Sequence, residues 1–260
     1  MKTVYLVLIL GFTLQSCSIS FTASSQRMPE KKVLQINPDV QLSLTGAVYM
    51  NFFGLKKSDY IPASTQIITK NKVLYIDPIL VNDTQKADYI LITHNHADHF
   101  WEPEIKRLLK PETIIIAPES ITKKLTNNKT RTIHLGDIIE FDDLKCEVFP
   151  AYNLKEKKAQ MTIHQKSDEF AGYFITLDTI RIYHAGDTDF IPEMKNLRHI
   201  DVALLPIGGG ITSMSPVDAA AAANEIKPDF VVPIHYEPGK NHEMEFSKLV
   251  DKNIIVVLHK

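Results

Sequence analysis

The sequence has few cysteines and no excess of charge of either sign, and each shortage excludes a class of protein. Two cysteines among 260 residues are too few for a scaffold held by disulfides. The 29 basic residues are balanced by 31 acidic ones, so the net charge of −2 offers no general attraction for a nucleic-acid backbone. We therefore expect no nucleic-acid partner. The apolar fraction of 44 % is too high for a disordered chain and is typical of a globular protein.

The apolar run at the N-terminus is too short to span a membrane. It covers residues 4–14, about half of the ~20 residues that a spanning helix needs, and its form predicts an export signal over residues 1–16. Ser16 before Cys17 resembles the cleavage site of bacterial lipoproteins, which implies a lipidated Cys17 in the cell envelope, facing the periplasm or the exterior. A plain signal peptide or an uncleaved anchor is the alternative. Residues 17–32 are rich in Ser, Thr and charge, which predicts a tether.

The rest of the chain, residues 33–260, is predicted to form one layered α/β domain. Short apolar runs alternate with turn signals, and no linker divides them. Strands are predicted over residues 72–76, 89–93, 113–116, 137–141, 145–149, 173–177, 180–183, 202–206, 230–234 and 254–258, and helices over residues 102–109, 120–125, 216–226 and 243–250. Cys146 lies in an alternating run, so we expect it as a buried thiol in a strand.

The segment from residue 94 to 99 carries the strongest chemical signal in the chain. It contains three imidazoles and a carboxylate: His94, His96, Asp98 and His99. His94 and His96 are two residues apart, so on an extended strand end they point the same way and can bind one ion. Asp98 and His99 follow in a turn and can face a second ion, and two adjacent ions can hold a hydroxide between them. An exposed polar turn without metal is the alternative.

Other residues of metal-ligand type follow directly after predicted strands. They are Asp77, His184, Asp187 and His235. Strand ends at one edge of a sheet assemble active sites in α/β proteins, so we expect these side chains to gather at one edge. Taken singly, Asp187 could be a turn or capping residue, and His235 could be a buried core histidine.

Six short segments, spread from residue 76 to residue 236, carry a resemblance to a known family. They are Ile76-Asp77-Pro78, His94 to His99, Pro150-Ala151-Tyr152-Asn153, His184-Ala185-Gly186-Asp187-Thr188, Pro206-Ile207-Gly208-Gly209 and Pro233-Ile234-His235-Tyr236. Together they resemble the metallo-β-lactamase fold superfamily, and most closely its L-ascorbate-6-phosphate lactonase-like and N-acyl-phosphatidylethanolamine phospholipase D-like hydrolases. The resemblance implies a four-layer αββα sandwich with a metal site at one edge.

The resemblance also implies a role for each ligand-type residue, around one or two ions of zinc or manganese. The implied ligands are His94 and His96 for a first ion, Asp98, His99 and His235 for a second, and Asp187 as a bridge between both. Asp98 would also help to move the proton during catalysis. Asp77 would orient the ligand histidines from beneath the site. His184 would act beside the ligands or in the structure around them.

The chain departs from the family pattern at Asn153. Many relatives carry a histidine there, and an amide oxygen is a weaker and harder donor than an imidazole. Asn153 could bind through its oxygen and favour manganese, or the first site could be weak and leave one ion. His164 could instead take the place from a loop, unless it only lines the pocket or the surface.

The stretch that contains Gly208 and Gly209 is a further candidate for substrate binding. Three glycines in a row precede a predicted helix. Free backbone N–H groups and the positive end of the helix dipole could dock an anionic substrate group there. A flexible connecting turn is the alternative.

The function that the resemblance implies is a metal-dependent hydrolase. A metal-bound hydroxide would attack an ester, lactone or phosphodiester in a small-molecule or lipid-like substrate. A non-catalytic envelope protein of the same fold that binds metal or ligand is the main alternative, because the departure at Asn153 leaves room for it. A di-iron oxidoreductase is disfavoured, since such relatives carry glutamate at the position of His96. A nuclease is disfavoured by the lack of basic excess.

Overall fold

The structure, a computed structural model, describes residues 19–23, 33–52, 56–82, 85–126, 128–141, 144–154 and 164–258. The predicted export signal over residues 1–16 and the predicted anchor Cys17 lie outside these ranges. None of the helices within them combines the length and hydropathy that crossing a bilayer requires.

The strands and helices of the described ranges follow one another in this order. The strands are β1 (Ile19–Ala23), β2 (Val33–Asn37), β3 (Val40–Leu44), β4 (Val48–Phe52), β5 (Lys56–Tyr60), β6 (Thr65–Ile68), β7 (Val73–Ile76), β8 (Tyr89–Leu91), β9 (Ile114–Pro118), β10 (Thr130–Ile133), β11 (Ile138–Phe141), β12 (Leu144–Pro150), β13 (Ala171–Leu177), β14 (Ile180–His184), β15 (Val202–Pro206), β16 (Phe230–Ile234) and β17 (Ile255–Val256). The helices are α1 (Glu102–Leu108), α2 (Glu119–Thr122), α3 (Pro216–Ile226) and α4 (His242–Leu249).

The strands form two seven-stranded sheets and one three-stranded sheet. The first large sheet has the order β10-β9-β8-β7-β6-β3-β2, the second has the order β11-β12-β13-β14-β15-β16-β17, and the small sheet has the order β1-β4-β5. In the first, β7 to β10 run parallel, and in the second, β14 to β17 run parallel. The remaining pairs are antiparallel.

Strand β8 shows why the sheets are stacked between helices. Tyr89 and Leu91 join the core between the sheets, whereas Ile90 joins a second cluster with Ile105 of α1 and Ile121 of α2. Successive strand residues point to opposite faces, so this apolar strand is covered on both sides. In the second sheet, β15 is covered by α3. The predicted four-layer αββα sandwich is confirmed.

Helix α3 has the boundaries that its sequence predicts. The Ser215 hydroxyl accepts a hydrogen bond from the Asp218 backbone N–H (3.2 Å), and Pro216 occupies the first turn. Lys227 ends the helix in the left-handed conformation. The other predicted strands and helices have counterparts whose ends agree within three residues. Strands β1 to β6 and β10 are not among the predicted elements.

Strand β1 lies inside the segment that its composition predicts to be a tether. It pairs antiparallel with β4 along its whole length, from Ile19 to Ala23. Apolar and polar residues alternate over these five positions, a sequence pattern typical of strands. The tether prediction is therefore corrected for residues 19–23, and the rest of residues 17–32 lies outside the described ranges.

Cys146 lies in the middle of β12 and is fully buried in the core between the sheets. This confirms the prediction of a buried thiol in a strand. Burial raises the pKa of the thiol far above its ordinary range, so Cys146 is a packing residue and not a nucleophile.

Candidate metal centre

Residues that follow the parallel strands meet at one edge of the two sheets and, with His164 from the loop between β12 and β13, form three overlapping groups of ligand atoms. The groups are His94, His96 and His164; His94, His99 and Asp187; and Asp98, His99 and His235, and the ligand atoms of each group lie within 4.8 Å of one another. We name the first of them the three-histidine group and the last the mixed group. Every predicted ligand other than Asn153 belongs to one of these groups.

Asp187 lies between the three-histidine group and the mixed group. Its Oδ1 is 3.4 Å from Nε2 of His99, and its Oδ2 is 3.1 Å from Nε2 of His235. Asp98 approaches the same His235 nitrogen with its Oδ2, at 3.3 Å. Asp187 is buried, whereas the Asp98 side chain is 23 % exposed, so Asp98 marks the open side of the centre.

Asp77 orients two of the histidine rings, His99 directly and His94 through Thr93. Its Oδ1 accepts a hydrogen bond from the Thr93 backbone N–H (2.8 Å), and its Oδ2 accepts from the Thr93 hydroxyl and from His99 Nδ1 (both 2.7 Å). The Thr93 oxygen in turn accepts from His94 Nδ1 (2.9 Å). These bonds place a proton on Nδ1 of both rings and turn Nε2 of each toward the centre. Asp77 has a left-handed backbone (φ 46°), a costly conformation typical of functional sites.

The hydrogen bonding of three buried atoms at the centre indicates whether the residues present could hold a metal. Nε2 of His94, Nε2 of His99 and Oδ1 of Asp187 have no hydrogen-bond partner among the described residues. Buried polar atoms are nearly always paired, so each of these needs an explanation. A divalent cation would satisfy all three, and imidazole with carboxylate is the donor set of many transition-metal sites. The residues present therefore fit a metal.

His164, not Asn153, faces the other two residues of the three-histidine group. Nε2 of His164 is 3.3 Å from Nδ1 of His96, and its ring centroid is 5.0 Å from that of His94. The Asn153 side-chain oxygen instead accepts the backbone N–H of His164 (3.3 Å), and its amide donates to the Thr212 carbonyl (2.9 Å). The Asn153 side chain therefore helps to hold the loop that carries His164, and its own role as a ligand stays a prediction.

His184 has both ring nitrogens bound to the backbone. Nε2 donates to the Ala63 carbonyl (2.9 Å), and Nδ1 accepts from the Gly186 N–H (3.3 Å). His184 therefore holds the turn that carries Asp187 into the centre and has no ring nitrogen left for a metal.

The glycine-rich stretch is shaped by its contact with the backbone of His235. A Cβ on Gly208 would lie 2.3 Å from the His235 carbonyl oxygen, so only glycine fits there. The Gly209 N–H donates to the Met214 carbonyl (2.8 Å). The Gly209 N–H is therefore not free for an anionic group, Gly208 fits closely against His235, and docking of an anion at the rest of the stretch stays a prediction.

The two groups differ in the pKa values of their histidines. Burial lowers the pKa of His94 well below its ordinary value and that of His164 to about 4. In the mixed group burial also acts to lower the pKa, but the carboxylates of Asp187 and Asp98, joined at His99 by Asp77, together outweigh it. The pKa of His99 is therefore well above its ordinary value, and that of His235 is about 9. Burial raises the pKa of the Asp187 carboxyl, but His235 and His99 more than offset this and hold it well below its usual range.

Three further residues at the centre were not predicted: Thr93, Phe170 and Tyr60. The Phe170 ring lies 4.9 Å from that of His94 and provides an apolar wall. The Tyr60 ring meets His235 edge-on at 5.1 Å. The position of Thr93 between a strand and the histidine motif is a usable signal, whereas no motif marks Phe170 or Tyr60.

A family model described as a beta-lactamase superfamily domain matches residues 60–235, a span that contains all the ligand groups. The chain belongs to this superfamily. The chain is 32 % identical over 209 residues to a UPF0173 metal-dependent hydrolase of Lysinibacillus sphaericus, and the alignment covers 74 % of this chain and 91 % of that relative. It is 34 % identical over 221 residues to a UPF0173 metal-dependent hydrolase of Thermococcus onnurineus, covering 75 % and 92 %.

Solved structures agree with the fold of this superfamily. A metal-dependent hydrolase from Parabacteroides distasonis is similar with a TM-score of 0.68 and 30 % identity, covering 88 % of this chain and 98 % of that one. The metallo-beta-lactamase fold protein YhfI from Bacillus subtilis is similar in fold alone, with a TM-score of 0.60 and 10 % identity over 75 % of this chain and 87 % of that one. The predicted family is confirmed, and the chain is a metal-dependent hydrolase of the superfamily.

Proposed function

We propose that this hydrolase uses two divalent ions to cleave an ester, a lactone or a phosphodiester. The observation that carries the proposal is the pair of ligand groups with Asp187 between them. Each group offers three protein ligands, and a carboxylate between two such groups can bridge two ions. Among the ligand residues that the structure describes, the buried atoms that lack hydrogen bonds belong to His94, His99 and Asp187, which are the residues that join the groups.

The residues of the chain orient the reaction. When bound, the ions supply a water of lowered pKa as nucleophile and positive charge for the oxygen that becomes negative. Asp77 and Thr93 hold the ligand nitrogens in place before the ions arrive. Asp98 is the partly exposed carboxylate at the open side, so it is placed to accept or return a proton.

Zinc is the metal that the three-histidine group favours. With His164 in place, the group offers three imidazole nitrogens, and imidazole suits zinc better than manganese. The argument for manganese required the oxygen of Asn153, which is turned toward the backbone of His164. The mixed group, with carboxylates of Asp98 and Asp187 nearby, accepts either metal.

The open side of the centre favours a small-molecule or lipid-like substrate. His96 and Asp98 are half-buried and Asn95 is exposed, whereas His94, His99 and the other ligands are buried. Substrate therefore reaches the ions across the segment between β8 and α1. The net charge of −2 argues against a nucleic-acid substrate.

The proposal includes export and anchoring in the cell envelope through Cys17. Its support is the sequence of the first 17 residues, together with the position of β1. Ile19 follows Cys17 by two positions, so a lipid on Cys17 would hold the small sheet within about 7 Å of the anchor. Cys17→Ser should move the protein out of the membrane fraction, and Cys146→Ser should not. Membrane association that persists in Cys17→Ser contradicts the anchor.

Metal analysis combined with a substrate screen tests the hydrolase proposal. The purified protein is analysed for bound metal, stripped with a chelator, reloaded with Zn²⁺ or Mn²⁺, and assayed with lactones, bis(p-nitrophenyl) phosphate and phospholipid analogues. We expect activity to vanish on stripping and to return on reloading. Activity that survives complete removal of metal contradicts the proposal.

A matched pair of aspartate variants separates catalysis from metal binding alone. Asp187→Asn should lower metal content and activity together, whereas Asp178→Asn, at an exposed turn between β13 and β14, should leave both unchanged. A wild-type protein that binds metal tightly but cleaves none of the substrates would support the non-catalytic alternative.

A further inference from the structure

Tyr60 lies at the metal centre although its strand belongs to neither large sheet. It is the last residue of β5, and the next residue, Ile61, exchanges two backbone hydrogen bonds with Tyr236 (2.9 and 3.0 Å). Tyr236 directly follows His235. The bridge therefore brings Tyr60 beside His235, where the two rings meet edge-on at 5.1 Å and 83°.

Packing fixes the ring of Tyr60 on its other sides. The residue is 5 % exposed and belongs to a small apolar cluster with Val48, Met50 and Ile79. Trp101, just beyond the histidine motif, packs against the same cluster. A ring held in this way presents its hydroxyl at a fixed place, which is the property required of a group that must meet a bound ligand.

The hydroxyl of Tyr60 is a hydrogen-bond donor that the protein does not use. It makes no hydrogen bond within the described part of the chain. Burial raises the pKa of Tyr60 well above its ordinary value, and the carboxylates of Asp98 and Asp187 add to the rise, so the hydroxyl keeps its proton. An ordinary phenol is already protonated at neutral pH, so a donor role needs no special shift.

We propose that Tyr60 donates a hydrogen bond to a negatively charged oxygen of the substrate at the mixed group. The inference rests on the proposed hydrolase function. Asp98, His99 and His235 could all serve as metal ligands, so they are not available to donate to such an oxygen once ions are bound. A neutral O–H complements the ions without competing for their carboxylate ligands. Tyr60 is thus a catalytic residue that touches substrate, not a metal ligand.

Tyr60→Phe in the metal-loaded, full-length protein tests the inference, with inorganic phosphate as the probe for an anionic oxygen. Phosphate binding is measured by calorimetry, metal content by mass spectrometry, and cleavage of bis(p-nitrophenyl) phosphate by absorbance. The matched control is Tyr49→Phe in β4, whose side chain is 36 % exposed. Phenylalanine keeps the ring and its packing, so a thermal melt should be nearly unchanged.

We expect Tyr60→Phe to keep its full metal content and to bind phosphate about tenfold or more weakly, since a hydrogen bond to a charged group is lost. Tyr49→Phe should match the wild type in both measurements. Phosphate binding by Tyr60→Phe that equals the wild type, with cleavage intact, overturns the inference alone. Loss of metal in Tyr60→Phe also overturns it, because Tyr60 would then be a ligand or a structural residue. A wild-type protein that neither binds phosphate nor cleaves any substrate overturns the hydrolase proposal as well.

Discussion

Asn153 and His164 show, at the scale of single residues, how a ligand can move along the chain while the site keeps its form. Asn153 occupies the position where many relatives carry a histidine, but its side chain holds the backbone of His164. His164 then completes the three-histidine group from a loop. A motif gives the type and position of a ligand along a strand end, but it cannot give the path of a loop that returns to the same place.

Replacing these two residues separately should distinguish ligand from support. His164→Ala removes an imidazole, so we expect it to lose the ion of the three-histidine group and to bind one ion fewer per chain. Asn153→Ala loses the hydrogen bond that positions the His164 backbone and the one to the Thr212 carbonyl, so it should keep both ions with affinity lowered by about tenfold. Metal content after dialysis and competition with a chromogenic chelator measure the two effects. His134→Ala, a surface histidine paired with Glu169, is the control.

The opposite pattern would reverse the roles. If Asn153→Ala loses an ion and His164→Ala retains it, the amide oxygen is the ligand and the preference for zinc at this group fails.

At the scale of whole elements, buried polar side chains explain why strands such as β6 were not predicted from the sequence. Thr65 and Gln66 begin β6 and are fully buried, because the Gln66 amide donates to the Tyr75 hydroxyl (2.7 Å) and its oxygen accepts from Ser43 (3.3 Å). Polar residues in such a run suggest a turn, since their partners lie on other strands. Helix α3, by contrast, carries its own start signal at Ser215 and was predicted correctly.

The distinction between local and distant signals also decides which residues at the ends of the elements were predicted. Asp187 and His235 were predicted at the site because each follows an apolar strand that is recognisable from its own residues. Tyr60 was not, because it ends a strand of the small sheet and reaches the site only through the bridge between Ile61 and Tyr236. A contact between distant elements leaves no local pattern.

Gly208→Ala tests the connection between β15 and α3 as a support for His235. The new Cβ would meet the His235 carbonyl oxygen at 2.3 Å, and the backbone of His235 is itself left-handed (φ 54°). We expect the clash to displace His235, to weaken metal binding at the mixed group and to lower the free energy of unfolding by about 1–3 kcal/mol. Chelator competition and urea unfolding measure these changes.

Gly210→Ala is the control for that substitution. A Cβ there meets no atom within 4 Å, so only its positive φ of 75° is strained. This variant should lose some stability but keep the metal affinity of the wild type. Equal losses of affinity in both variants would mean that flexibility of the stretch matters, and not the contact with His235.

For the whole molecule, the net charge of −2 is close to neutral. Electrostatic interactions with a ligand therefore come from the charged groups at the centre and not from the overall charge of the protein. The ion pairs of Asp187 and Asp98 with His99 and His235 balance one another within the centre. These pairs occupy the place that a cation would take in the mixed group, so binding a metal there must displace the extra protons that the two imidazole rings carry.

The two ions should therefore respond differently to pH. With a pKa of about 9 for His235, and one well above the ordinary value for His99, both rings are protonated at pH 7 in chelator-stripped protein. A ligand imidazole must be neutral, so an ion entering the mixed group releases two protons, and its affinity should rise by about 100-fold per pH unit near neutrality. Burial lowers the pKa of all members of the three-histidine group, so they are already neutral and an ion there should bind with little dependence on pH between 6 and 8.

Calorimetric titration of the stripped protein with Zn²⁺, repeated in two buffers of different ionisation enthalpy, counts the protons released at each step. We expect about two protons for one ion and almost none for the other. His235→Ala should reduce the larger number by one, whereas His134→Ala should leave it unchanged even though Glu169 raises the pKa of His134, because that pair lies on the surface. Equal proton release for both ions would contradict the division of the centre into a neutral group and a protonated one. In that case the ion pairs of Asp187 would be only packing contacts of the folded chain, and the order in which the two sites fill would have to be set by ligand number instead of charge.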